Sequence, residues 1–145
     1  MSEVEIISKG TNISQEDKEA VLHLPAEIDR TWNERNAHAY AALFDADGDF
    51  RFHDGQWIKG REAIEQYWGQ GVFPTLPEGM RHISTPRLGR FVTDEVAIGE
   101  GTIRLVEQVD GQESVHLEAE CTLLAVKKNA RWYISAVRLA TLAPG

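Results

Sequence analysis

The stretch that decides the fold runs from Thr31 to Trp68 and reads TWNERNAHAYAALFDADGDFRFHDGQWIKGREAIEQYW. It combines two helical patterns around a short hairpin, and it holds three of the chain's four tryptophans. A histidine, His53, lies among its apolar strand residues. Large aromatic side chains bury much surface and commonly line ligand sites. The stretch therefore predicts a small α+β domain built around a pocket.

A long first helix is predicted just before and into this stretch. Ser14 followed by Asp17 is typical of a helix start, with Ser14 as the N-cap and an acid at the third helical position. Because proline removes a backbone donor and crowds the preceding turn, Pro25 predicts a kink or a restart near Leu24. The apolar residues recur at helical spacing over about twenty residues, at Val21, Leu24, Ile28 and Trp32.

A second, shorter helix follows. Asn36 can cap it, and Tyr40, Leu43 and Phe44 share one of its faces. The sequence DADGD at 45–49 contains turn-forming residues and is predicted to break the helical pattern.

A hairpin and a third helix complete the first half. The strand from Phe50 to His53 is predicted to pair with Gln56 to Lys59 through a tight turn at Asp54-Gly55. The third helix begins near Arg61 and is expected to end at the glycines at 69 and 71. Its apolar face holds Ile64, Tyr67 and Trp68.

The second half predicts an antiparallel meander. Turn sequences at 93–94, 110–111 and 129–130 separate four segments rich in β-forming residues. Pro86 falls inside the first segment, which indicates an edge position or a bulge. Three N-terminal helices packed on this curved, mostly antiparallel sheet predict a cone-shaped α+β barrel. The four strands are Met80 to Val92, Val96 to Val109, Ser114 to Lys127 and Arg131 to Leu142.

Length and charge narrow the class of protein. A chain of 145 residues is the usual size of one domain, so we expect a single domain over 1–145 with its core at about 14–142. The net charge of −8 disfavours nucleic acid and anionic membranes as partners. The first ten residues carry acids where a signal peptide would be positive, so we expect a cytoplasmic protein. The single cysteine, Cys121, is expected to behave as a small hydrophobe.

Three segments carry a family resemblance: WNERNAHAYAALF at 32–44, WIKGREAI at 57–64 and KKNARWYISA at 127–136. With the order of elements, they resemble the SnoaL-like branch of the nuclear-transport-factor-2-like superfamily over roughly residues 14–142. Related members include polyketide cyclases, ketosteroid isomerase, dehydratases and epoxide hydrolases. The resemblance implies the cone fold and a homodimer formed through the outer face of the sheet, and it leaves the reaction open.

The resemblance also implies a catalytic residue near the end of the first strand. Ketosteroid isomerase-like members place a carboxylate base after L-F-x-x-D, and the matching position here is His53 or Asp54. Because histidine titrates near neutrality, we expect His53 to be the base, the alternative being a hydrogen bond at a strand end. Tyr40 or Tyr67 is expected to donate a hydrogen bond to a developing enolate oxygen, unless each only packs in the core.

Charged residues on the later strands add further candidates. If Trp132 packs inward, as the resemblance implies, Arg138 shares its face and would hold a carboxylate or enolate, the alternative being a rim salt bridge. Alternation places Glu100 and Arg104 on one face of their strand and the glycines at 99 and 101 on the other. Either face can line the cavity. With Glu118 on the adjacent strand, these charges form either a polar site or an outward-facing ion pair.

Metal sites find less support. His53, His82 and His116 lie on three predicted strands and could meet as zinc ligands, but no short ligand pair accompanies them. The alternating aspartates at 45–49 lack the closing glutamate of a calcium loop. We therefore expect no metal and no cofactor. The candidate ligand-binding residues, suited to an apolar and ring-shaped molecule, are Trp32, Phe44, Trp57, Trp68, Phe73, His82, Glu100, Arg104, His116 and Glu118.

These observations favour a cofactor-free enzyme that acts on a small hydrophobic carbonyl compound. Proton transfer would drive isomerisation, cyclisation or dehydration, with His53 as base and Arg138, Tyr40 or Tyr67 stabilising the oxyanion. One alternative is a non-catalytic ligand-binding or dimerisation domain with the same pocket, and another is a pocket filled by side chains. The chain has no G-x-S-x-G elbow, phosphate loop or dinucleotide fingerprint, which disfavours hydrolase triads and nucleotide chemistry.

Overall fold

The computed structural model describes residues 4–8 and 12–142. The helices are α1 (Gln15–Asn33), α2 (Ala37–Ala42) and α3 (Arg61–Gln66), the last continued by a π-helical segment (Tyr67–Val72) and a 3₁₀ turn (Phe73–Thr75). The strands are β1 (Glu5–Ile7), β2 (Phe44–Arg51), β3 (Trp57–Lys59), β4 (Met80–Thr93), β5 (Val96–Val109), β6 (Gln112–Lys128) and β7 (Arg131–Thr141).

The helix starts follow the predicted caps. The Ser14 side chain accepts a hydrogen bond from the backbone N–H of Asp17 at 3.1 Å, and Asn36 accepts one from Ala39 at 3.0 Å. Each bond satisfies a donor that the first helical turn leaves without a partner. Pro25 lies inside α1, and the helix continues to Asn33, so the predicted restart near Leu24 does not occur.

The segment 45–49 is the first departure from the sequence prediction. It forms part of β2, which begins at Phe44 and pairs in parallel with β7. The register of β2 against β7 shifts between Phe44 and Asp49, and the turn-forming residues lie at this shift. Gly48 allows this close approach, because a Cβ there would lie only 2.8 Å from the carbonyl oxygen of Ile134. Pairing with a distant strand therefore overrides the local turn preference.

The third helix also extends beyond its predicted end. Gly69 and Gly71 do not stop the chain from continuing helically to Val72, through a π-helical segment. Gly69 packs against α2, where an added Cβ would lie 3.1 Å from the Cβ of Ala37. Glycine disfavours helix, but packing of this segment against α2 keeps the chain helical past Gly69.

The sheet has seven strands in the order β1-β4-β5-β6-β7-β2-β3. The predicted antiparallel meander is confirmed, since β4, β5, β6 and β7 pair in sequence. The predicted hairpin is confirmed as well, since β2 and β3 pair in an antiparallel register. Strand β1 was not predicted, and it pairs in parallel with the edge of β4. A three-residue strand carries too little periodicity to be recognised in a sequence.

The bulge expected at Pro86 is confirmed. The register of β4 against β5 shifts between Pro86 and Leu88, because proline cannot donate a ladder hydrogen bond. Opposite the bulge, Gly101 lies so close to β4 that an added Cβ would be 2.4 Å from the carbonyl oxygen of Thr85. A glycine is therefore required at this point of the sheet.

The core lies between the helices and the concave face of the sheet. Phe44, Ile64 and Ile134 are fully buried at its centre. An aromatic cluster surrounds them, in which the rings of Tyr40 and Trp68 lie 5.1 Å apart. The helices thus cover one face of a curved, mostly antiparallel sheet, which confirms the predicted α+β fold. In the described part of the chain, every helix is too short or too polar to cross a membrane.

Candidate functional site

A largely apolar cavity lies between α1 and the inner face of the sheet. The cavity volume is about 90 Å³. Its wall is formed by α1, by β1 and by residues of β4 to β7, together with Tyr40 of α2 and Phe50 of β2. Among the lining residues, those with polar side chains include Tyr40, His82, Ser84, Glu100, Thr102 and Cys121.

The polar end of the cavity is organised by Asp29, which α1 presents to β4. Its carboxylate oxygen Oδ1 lies 2.7 Å from Nδ1 of His82 and accepts the Ser84 hydroxyl at 2.8 Å. Its other oxygen accepts the backbone N–H of Ser84 at 2.9 Å. Three hydrogen bonds thus hold one partly buried carboxylate, which suits a group that remains ionised in a protein interior.

The backbone of His82 is held as firmly as its side chain. Asn33 accepts the backbone N–H of His82 at 2.8 Å and donates to its carbonyl oxygen at 3.1 Å. The ring of Trp32 lies 5.2 Å from the imidazole. Asp29 and Asn33 are one helical turn apart and reach the same strand, so α1 fixes the position and the orientation of His82.

The pairing with Asp29 sets the tautomer of His82. An ionised carboxylate only accepts hydrogen bonds, so Nδ1 must carry the proton. In the neutral ring Nε2 then holds a lone pair, and it has no hydrogen-bond partner among residues 4–8 and 12–142. The His82 side chain is 11% exposed and Asp29 is 24% exposed. This arrangement can accept a proton from a bound molecule and stabilise the resulting imidazolium.

Tyr40 supplies a phenol to the same cavity. Its side chain is buried, and burial raises the pKa of its hydroxyl far above the ordinary value, with a smaller contribution from Cys121. The phenol therefore stays protonated at every physiological pH. Its hydroxyl makes no hydrogen bond to the described part of the protein. Because Tyr40 lines the cavity, this phenol is available to donate to a ligand oxygen.

Cys121 lines the cavity but is not a nucleophile. Burial, and to a lesser degree Glu120, raise the pKa of its thiol to about 12. Since the thiolate is the reactive form, the group stays inert near neutrality. This agrees with the expectation that Cys121 behaves as a small hydrophobe.

The structure places His53 and Tyr67 away from the cavity. His53 lies in the exposed turn that joins β2 to β3 and does not line the cavity wall. Tyr67 donates its hydroxyl to the side chain of Gln56 at 3.1 Å and is also absent from the wall. Of the two tyrosines proposed as oxyanion donors, the cavity therefore contains Tyr40 alone. Of the candidate histidines, His82 and not His53 lines the cavity.

Arg138 faces outward, which corrects the prediction that it shares the inward face of Trp132. Trp132 and Ile134 are buried, but the register of β7 against β6 then shifts by one residue. A shift of one residue reverses the faces, so Val137 is buried and Arg138 turns out of the cavity.

On the outer face, Arg138 joins a cluster around Asp49. Arg138 pairs with Asp49 through two hydrogen bonds, at 2.7 and 3.2 Å. Trp57 donates its indole N–H to the same carboxylate at 3.0 Å and remains 44% exposed. Burial opposes ionisation of Asp49, but the bonds from Arg138 and Trp57 prevail and lower its pKa. Trp57 and Arg138 therefore stabilise the sheet exterior.

The face of β5 that lines the cavity is the one that carries glycines. Ala97, Gly101 and Ile103 are buried, so the alternating set that contains Arg104 faces outward. There Arg104 pairs with Glu113 at 3.1 Å and lies 3.6 Å from Glu118. Of the two alternatives left open by the sequence, Arg104 and Glu118 therefore form the outward-facing ion pair and not a polar site in the cavity.

Two further candidates from the sequence lie at or beyond the edge of the cavity. Glu100 borders the cavity yet is exposed. His116 pairs with Glu107 at 2.8 Å on the exterior. It does not line the cavity with His82, so the two histidines do not share a site there. Within the described residues, no group of three histidine, cysteine or acidic side chains is arranged to hold a metal ion.

The remaining aromatic candidates are core residues next to the cavity. None of them lines the wall in the described part of the structure. Trp32 and Phe73 pack edge to face at 5.6 Å beneath His82. Phe44 and Trp68 pack against the ring of Tyr40. They support the two polar groups of the site rather than contact a ligand. The buried candidates are Trp32, Phe44, Trp68 and Phe73.

Sequence reasoning missed Asp29, Asn33 and Ser84. A signal for them was present. Asp29 lies one turn before Asn33, on the side of α1 next to its apolar stripe, and Ser84 follows His82 with the period of two expected of one strand face. An acid next to the apolar stripe of a helix, together with a polar pair on an inward strand face, indicates a buried polar site.

Comparisons with known proteins agree with this architecture. The family model described as a SnoaL-like domain matches residues 14–138. Comparison with curated proteins finds no match.

Several solved structures are similar over most of the chain, and the first two below are described as having a cystatin-like fold. A nuclear-transport-factor-2-like protein from Novosphingobium aromaticivorans has a TM-score of 0.81 at 21% identity, with 90% of this chain and 84% of that chain covered. A domain of unknown function from Nostoc punctiforme has a TM-score of 0.81 at 22% identity, covering 90% and 80%. A protein of unknown function from Mycobacterium tuberculosis has a TM-score of 0.77 at 24% identity, covering 90% and 78%. The chain belongs to the SnoaL-like domain family.

Proposed function

We propose that the protein is a cofactor-free enzyme that moves a proton on an apolar carbonyl compound, as in isomerisation, cyclisation or dehydration. The observation that carries this proposal is the Asp29–His82 pair, whose histidine lines the wall of an apolar cavity. A histidine oriented by a buried carboxylate is a common arrangement for a general base.

In the proposed reaction, Nε2 of His82 removes a proton from the carbon next to the carbonyl group. The electron pair of the broken C–H bond forms the C=C bond of the enolate, and the π electron pair of the carbonyl group moves onto its oxygen. The Tyr40 hydroxyl donates a hydrogen bond to this enolate oxygen. Asp29 accepts the hydrogen bond of Nδ1 and stabilises the imidazolium. The proton then returns to a different carbon, or it leaves with a departing hydroxyl group as water.

The apolar wall supports both parts of this proposal. It favours a hydrophobic substrate body, and it keeps water from competing for the hydrogen bonds of His82 and Tyr40. The homodimer expected from the family resemblance stays a prediction, and the proposed chemistry does not depend on it.

The test uses 2-tetralone, an apolar bicyclic ketone whose C1 protons are activated by both the carbonyl group and the ring. In D₂O, the protein should accelerate exchange of these protons for deuterium, as followed by proton NMR. The His82→Gln variant should lose about 10²- to 10⁴-fold of this acceleration, as expected for loss of a general base.

The matched control is His116→Gln, which removes an imidazole of the exterior pair with Glu107 and should leave exchange unchanged. Equal rates in His82→Gln and the unmodified protein would contradict the proposed base. The alternative function is ligand binding without turnover. It would be indicated by a calorimetrically measured affinity for 2-tetralone with no exchange above the buffer rate, or by a small molecule seen in native mass spectra of the purified protein.

A further inference from the structure

A row of inward-facing residues crosses the sheet at the apolar end of the cavity. The register pairs Ile6 with Gly89, Gly89 with Gly99, Gly99 with Leu123, and Leu123 with Val137. All five residues line the cavity. The second and third positions of the row are glycines without side chains.

The two glycines differ in what surrounds them. A Cβ added at Gly99 would meet nothing closer than 4.0 Å, the distance to the carbonyl oxygens of Leu123 and Leu88. A Cβ added at Gly89 would lie 3.0 Å from Cδ1 of Ile6. Gly99 therefore leaves open space in the cavity, whereas Gly89 makes room for a side chain of β1.

Gly101, two residues along the same strand, shows that these glycines are not equivalent. An added Cβ there would be 2.4 Å from the Thr85 carbonyl oxygen, so that position is occupied by backbone. At Gly99, by contrast, no backbone atom lies close enough to exclude a side chain. The space that it leaves belongs to the ligand cavity.

We propose that Gly99 and Ile6 determine the size of the ligand body that the cavity accepts. Gly99 leaves the floor open at its own position, where a larger side chain would occupy ligand space. Ile6 closes this floor on the side of β1. The proposal rests on the proposed function only in assuming that this cavity is the ligand site, and it names the residues that select the ligand.

The probe is tetralin, the hydrocarbon counterpart of 2-tetralone. It has no oxygen, so its binding measures the apolar floor and not the chemistry of His82 or Tyr40. Isothermal titration calorimetry should detect tetralin binding to the unmodified protein. Gly99→Leu should weaken this binding more than about ten-fold, and Gly99→Ala about three-fold, because each added methylene occupies ligand space.

The control is Gly71→Leu, which adds the same side chain at an exposed position where a Cβ meets nothing within 4 Å. It should bind tetralin as the unmodified protein does. If Gly99→Leu fails to fold, as judged by circular dichroism, the smaller Gly99→Ala change decides the result.

Ile6→Ala tests the other side of the floor. It should raise the affinity for the three-ring probe 9,10-dihydroanthracene by about three- to ten-fold, since one end of the cavity is lengthened. No tetralin binding by the unmodified protein, or equal binding by the Gly99 variants, would overturn the proposal. Loss of tetralin binding in Gly99→Leu without any exchange of 2-tetralone would instead refute the proposed function and leave this inference standing.

Discussion

Two histidine–carboxylate pairs of this protein have similar geometry and different surroundings. His82 and Asp29 are 2.7 Å apart, and His116 and Glu107 are 2.8 Å apart. The His82 side chain is 11% exposed against 45% for His116. Asp29 also receives two hydrogen bonds from Ser84, and its imidazole partner faces an apolar cavity.

A short histidine–carboxylate distance does not by itself make a functional site. On the exterior, water and salt screen the interaction, and the pair contributes little. The pair of His82 and Asp29, by contrast, is oriented by neighbouring residues and lies at a cavity from which a ligand can displace solvent. We therefore assign chemistry to the inner pair alone.

The largest expected effect comes from Asp29→Asn. An amide can donate a hydrogen bond to Nδ1 and stabilise the wrong tautomer, which leaves a proton on Nε2. Deuterium exchange into 2-tetralone should then fall by about 10²- to 10⁴-fold while the cavity still binds the ketone. The matching exterior change, Glu107→Gln, should leave the NMR-measured exchange rate as it was. A comparable loss in both variants would remove the distinction between the pairs.

A smaller effect is expected from Tyr40→Phe, which also compares an inner group with an outer one. Loss of the buried phenol should lower the exchange rate by about 10²-fold, because the enolate loses its hydrogen-bond donor. Urea unfolding should show a change in stability within about 0.5 kcal/mol, since the hydroxyl has no partner among the described residues. Tyr67→Phe removes the exterior bond to Gln56 and should not affect exchange. An unchanged rate in Tyr40→Phe would exclude its proposed role.

The smallest effect concerns stability at acid pH and the exterior cluster of Asp49. Burial opposes ionisation, yet bonds from Arg138 and Trp57 bring the folded-state pKa of Asp49 below its ordinary value of 3.8. The stability that ionised Asp49 contributes is therefore present above that ordinary value and is lost as the pH falls through the folded-state pKa.

In the Asp49→Asn variant, the free energy of unfolding should be lower at pH 7 and should change less between pH 5 and pH 2, as measured by urea titrations. Exchange into 2-tetralone should be unchanged, since the cluster lies outside the cavity. A large loss of exchange in Asp49→Asn would show that the exterior cluster takes part in the chemistry.

Much of the fold could be predicted from local signals. The caps at Ser14 and Asn36 mark the helix starts, and alternating β-formers mark β4 to β7 because each strand has one buried face. The departures were at 45–49 and at Gly69, where pairing with β7 and packing on α2 override the local preference. Such contacts join residues far apart in sequence, so no local window contains them.

The site was less predictable than the fold. Tyr40 and His82 were both among the candidates, but the base was expected at His53, which lies in an exposed turn. The role expected of Arg138 depended on unbroken alternation along β7, and one irregularity turned this side chain outward. A change of one residue in register reverses every inward and outward assignment after it.

The sequence by itself determined the meander and the first helix, because these follow from caps, turns and periodicity within short segments. Its resemblance to the SnoaL-like family implied the architecture as a whole. Only the tertiary structure decided which histidine lines the cavity, which face of β5 lines it and which carboxylate orients that histidine. Asp29 and His82 are 53 positions apart, and Ile6 limits the open floor at Gly99 only because β1 pairs with β4 and β4 with β5. These properties arise from contacts between elements, which composition and spacing along one segment do not specify.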